Sequence, residues 1–88
     1  MAGPNLWELE WDRPASIVLI AVRRAGTYEV PRVVEELKRI ASQSRDPGIS
    51  RLAAILAEDH QRLARILELL NSGMRPRKSV LSVVEELV

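Results

Sequence analysis

Prolines and glycines punctuate this chain more firmly than any other feature in it. Pro14 precedes an apolar run that stops at Gly26, Pro31 opens a second periodic segment, Asp46 and Pro47 open a third that runs towards Gly73, and Ser79 stands before a fourth. That order suits helices: proline presets φ where a first-turn N–H has no partner anyway, and glycine accepts the left-handed backbone just past a last turn. The spacing therefore predicts helices over about 14–25, 31–43, 48–71 and 79–88.

Ahead of them, "NLWELEWDRP" carries both tryptophans of the chain, and the only other aromatic is Tyr28. Alternation of Trp7, Leu9 and Trp11 with Glu8 and Glu10 would suit a strand, yet Trp7 and Trp11 are also i,i+4 neighbours on a helix. Asn5 and Glu8 have capping-box spacing, and proline disfavours helix at the residue before it, so 5–12 reads as a short helical arm that ends near Pro14. Its tryptophans supply large apolar area to a chain with no Phe.

The expected fold is all-α: a small four-helix bundle, two αα-hairpins, with this arm at its N-terminal side. Apolar residues are 47% of the 88, and with Phe absent the core must be built from Leu, Ile, Val and Ala, which favours helix packing over a small barrel. A single domain of this size sits near the lower limit for an unaided core, so association is expected to help it. No cysteine is present, which excludes disulfides and thiolate metal sites. The longest apolar run, Ile17 to Val22, is far short of the roughly 20 residues a membrane span needs, and no signal segment is evident at the start, so a cytoplasmic location with no membrane partner is expected. The preference for Arg over Lys fits a thermophile or a GC-rich genome.

The β-branched run "IVLIAV" suits a buried strand as well as a helix, and the flanking punctuation decides for helix, with Asp12 as its capping acid and Arg23 and Arg24 in its last turn. In the second helix Val30, Val33, Val34, Leu37, Ile40 and Ala41 form a stripe opposite charged residues. The pentapeptide "VVEEL" occurs there at 33–37 and again at 83–87. Two related hairpins would explain it, but residues this common in amphipathic helices make coincidence the better account. In the third helix Ile49, Leu52, Leu56, Leu63, Ile66 and Leu70 keep a 3-4 repeat, interrupted only by Asp59. A polar residue on such a seam fixes register or oligomeric state, or else it lies at a wet edge beside Arg62, the plainer reading.

Catalytic chemistry finds little support. His60 is the only histidine and Ala57 occupies the position three before it, so a bundle di-metal motif is missing. Glu58, Asp59 and His60 diverge by about 100° per residue on a helix and do not converge on one point. No cofactor or metal is expected, and no enzymatic activity.

Basic residues gather at Arg23 and Arg24, at Lys38, Arg39 and Arg45, and at Arg75, Arg77 and Lys78, but the net charge is only +1 and acids share the same helices. The leading expectation is a non-enzymatic helical interaction module, self-associating or a small subunit of a larger assembly, using Trp7, Trp11, Leu52, Leu56, Asp59, Leu63, Ile66, Leu70, Val84 and Leu87. The alternative is a helix-turn-helix DNA binder, with "TYEVP" as its link, dimerising through the long third helix and contacting nucleic acid through the basic residues named above.

Overall fold

The computed structural model describes the backbone from Leu6 and the side chains from Trp11 onward. The asparagine cap at Asn5 and the side chain of Trp7 lie outside the described residues. Five helices follow in order: α1 (Leu6–Ala25), α2 (Val30–Gln43), α3 (Pro47–Glu58), α4 (His60–Asn71) and α5 (Lys78–Leu87). The all-α class holds, with no strand among the described residues. The count and arrangement differ from four helices in two hairpins.

Helix α1 occupies the centre and packs against each of the other four. Every residue from Pro14 to Val22 is buried. A stretch shielded on all sides needs no polar face, which is why Ile17 to Val22 shows a continuous apolar run instead of a stripe. Helices α2 and α3 form the most extensive pairing, α4 closes over α1, and α5 lies principally on α1.

Pro14 does not separate an arm from a first helix; it sits inside α1. Its ring removes one backbone hydrogen bond, and interior proline ordinarily costs about 3 kcal/mol. Burial of Pro14 and of the eight residues after it supplies the offsetting apolar contact. Asp12 is therefore not an N-cap of α1, and its carboxylate is free to act elsewhere.

The expected third helix is two helices. Asp59 stands between them with φ −90° and ψ 82°, closing α3 through its own N–H to Ile55 O and capping α4 by accepting from the Arg62 N–H at 3.2 Å. The residue that interrupts the seam interrupts the helix. An aspartate side chain competes well for first-turn amides, which is why it favours N-caps over helix interiors.

Other punctuation works as its chemistry predicts. Asp46 caps α3 by accepting from Ile49 N–H at 3.0 Å, with Pro47 in the first turn. Gly26 and Gly73 take φ of 71° and 103° just past α1 and α4, where a side chain would be strained. Ser79, expected to cap the last helix, lies inside α5, whose N-cap position is Arg77.

Candidate interaction site

Among the described residues, helix α5 is held by three polar attachments. Asp12, almost wholly buried, accepts from the Arg77 backbone N–H at 3.0 Å through Oδ1 and from Arg77 Nε at 2.5 Å through Oδ2. The backbone N–H of the N-cap residue Arg77, which precedes α5 and has no carbonyl partner within it, is thus held by a carboxylate 65 positions away. Arg23 pairs with Glu85 at 2.6 Å near the other end, and Ser44 Oγ donates to Leu87 O at 3.2 Å. The helix is positioned firmly, yet among its residues only Val84 is fully buried.

The two copies of "VVEEL" show what that leaves open. In α2, Val33 and Leu37 are 0% exposed; in α5, the equivalent Val83 and Leu87 are 55% and 39% exposed. Helix α5 is rolled so that Val84 faces inward and the Val83–Leu87 edge does not. Beside that edge runs a groove of about 340 Å³ lined by Arg13, Ser79, Val80, Val83, Val84 and Leu87. Arg13 is the only charged group in the lining, so the surface offered is apolar with one cation at its margin.

The nominated contact residues separate into two groups. Leu56, Leu63, Ile66, Leu70 and Val84 are buried in the chain's own core, and Trp11 and Leu52 are half-buried against it. Asp59 and Leu87 are exposed. The seam is thus internal packing, whereas part of the α5 stripe faces outward. The sequence places Val80, Val83, Val84, Leu87 and Val88 on one apolar stripe; it does not mark Arg13 or show that Val83 lies open, because helical periodicity gives a stripe but not the rotation at which the stripe docks.

Several nominated cations are occupied within the chain. Arg23 meets Glu85, Arg39 meets Glu36 at 3.1 Å, and Arg77 meets Asp12. Arg75 donates to the carbonyls of Leu70 and Met74 and so satisfies the end of α4. Arg24, Lys38, Arg45 and Lys78 are exposed at four separate places along the chain: the end of α1, within α2, the α2–α3 connection and the first position of α5.

Two further concavities lie away from α5. One, of about 300 Å³, lies between Tyr28 and Val30 and the α4 residues Ala64, Leu67, Glu68 and Asn71. The other, of about 340 Å³, lies between α2 and α3 over Ala41, Ala54 and Ala57. Among the described residues no group of histidine and carboxylate side chains could hold a metal ion, and no helix is long and apolar enough to cross a membrane. Glu58, Asp59 and His60 are exposed around the α3–α4 break. Comparison with known protein families, curated sequences and solved structures gives no match to this chain.

Proposed function

We infer that this chain is a non-enzymatic helical interaction module that works by presenting the Val83–Leu87 edge of α5 to a partner helix, the first candidate being a second copy of itself. The observation that carries this is the contrast between the paired pentapeptides. The residues that α2 seats in the core are left open by α5, beside a groove able to receive an apolar side chain. Exposed apolar positions that keep helical spacing mark a helix-docking face, and a two-fold contact would place the two open edges against each other.

The patch is small. Stable interfaces bury about 800 Å² per partner, and two partly exposed side chains with a half-buried rim fall well short, so the association is expected to be weak and concentration-dependent. Light scattering from micromolar to millimolar protein tests it. The average mass should climb towards that of a dimer, and Leu87→Glu should hold it at the monomer value with helicity unchanged. A wild type that stays monomeric throughout removes self-association and leaves a different protein partner. Duplex DNA binding with a steep salt dependence would instead favour the helix-turn-helix reading, which the internal pairing of Arg23, Arg39 and Arg77 does not help.

A further inference from the structure

The break at Asp59 is unusual in leaving the apolar phase untouched. Ile49, Leu52, Leu56, Leu63, Ile66 and Leu70 keep one 3-4 repeat across it, as though 47–71 were a single helix. Neither proline nor glycine lies at the join, and only Asp59 is non-helical there. Its φ of −90° is near the helical range; ψ of 82° is the departure, so a turn of roughly 120° about one bond would make the helix continuous. That turn would give the amides of His60, Gln61 and Arg62 their carbonyl partners four residues back. Arg62 already has the Asp59 carboxylate. Set against those gains is the loss of one cap.

Straightening also carries α4 and α5 away from α1, and a lone chain cannot then bury Leu63, Ile66, Leu67, Leu70 and Val84. A second copy can. We propose that the chain has a second folded form, an exchanged dimer in which α3 and α4 fuse into one helix and the α4–α5 unit of each copy docks on α1–α3 of the other. Apart from the hinge at Asp59, the contacts between α1–α3 and α4–α5 are remade between chains, including Asp12 with Arg77 and Arg23 with Glu85. Ile55, 43% exposed one turn before the hinge, becomes covered where the two straightened helices cross. Asp59 sets the balance: its cap holds the bent form, and in the straight form it is a charge inside an apolar seam. The exchange uses core surfaces rather than the edge of α5, so it stands apart from the reading above.

Two substitutions move the equilibrium in opposite directions. Asp59→Ala removes the cap and favours helix through the join; a cap is worth a factor of about five per chain, and two are lost per dimer, so dimerisation should strengthen by about 25-fold or more. His60→Pro repeats the Asp46-Pro47 arrangement that opens α3: it is tolerated at a first helical position but cannot sit inside a continuous helix, and it should abolish the dimer. Because the chain has no cysteine, Arg23→Cys with Glu85→Cys, placed at the α1–α5 ion pair, allows a bis-maleimide to report which chains are joined. The bent form is cross-linked within one chain, the exchanged form between two. The expected result is a covalent dimer for the Asp59→Ala background and a covalently closed monomer for His60→Pro. Should Asp59→Ala fold poorly, the cysteine pair in otherwise wild-type protein, refolded at millimolar concentration, should still yield interchain product that His60→Pro lacks. An Asp59→Ala protein that remains monomeric, or dimerises with intrachain cross-links only, overturns the proposal; in the latter case association through the α5 edge survives.

Discussion

Asp12 does work that no local pattern discloses. Its neighbours suggest a cap for the helix it belongs to, and its actual partners are the amide and guanidinium of Arg77. Because the carboxylate is buried, removing it strands the Arg77 backbone donor, while the guanidinium, 60% exposed, passes to water. Asp12→Ala should lower stability by about 1–3 kcal/mol in urea unfolding, and Asp12→Asn, which keeps an acceptor and the volume, should cost less. The Arg23–Glu85 pair is half exposed at both ends, and Glu85→Gln should change stability by under about 1 kcal/mol. The paired pentapeptides give a sharper residue-scale test. Leu37→Ala should cost about 2–5 kcal/mol, as deletion in a closed core does, whereas Leu87→Ala at low protein concentration should cost under about 1 kcal/mol. Equal losses at the two positions would mean that the α5 edge is as closed as the α2 face.

Helices differ in how openly their sequences declare them. Those with one wet face were legible: α2 carries its stripe, Asp46-Pro47 marks the start of α3, and Gly26 and Gly73 mark stops. Those governed by their neighbours were not. Local cost makes Pro14 read as an end, and burial of every residue from Pro14 to Val22 outweighs that cost. Asp59 looked like a flaw in a seam because a one-residue break that preserves phase is invisible to periodicity. Of the candidate contact residues, the stripe on α5 was legible and the rotation that exposes Val83 was not, since that rotation depends on how Val84 meets α1. At this scale α5 itself can be tested. It covers a central helix that is buried at every position from Pro14 to Val22, so a chain ending before Lys78 should bind a hydrophobic dye and aggregate; an equally soluble, dye-negative product would show α1 to be adequately covered without it.

For the molecule as a whole, the central position of α1 implies that no part can loosen alone at small cost. A chain of 88 residues has roughly 4–13 kcal/mol of stability to lose at typical values per residue. Ile17→Ala, at a position with no exposure, should remove about 2–5 kcal/mol of it. The loss should appear in every helix at once: circular dichroism and tryptophan fluorescence should give coincident transitions at a lower midpoint. Separate transitions would indicate that α2 and α3, the most extensive pairing, persist as a unit of their own.

The carboxylate clasp between the first helix and the start of the last also has a consequence in time. Joining Asp12 to Arg77 closes a loop of 65 positions, an entropic cost that is met only after the intervening helices have brought the two ends close. A ten-residue helix nucleates poorly by itself, so α5 is the natural last step of folding, absent from the rate-limiting barrier. Stopped-flow measurements on Asp12→Asn should then show an unchanged refolding rate and a faster unfolding rate, with the whole loss of stability on the unfolding limb. The clasp would set how long the molecule stays shut, and have no say in how quickly it forms.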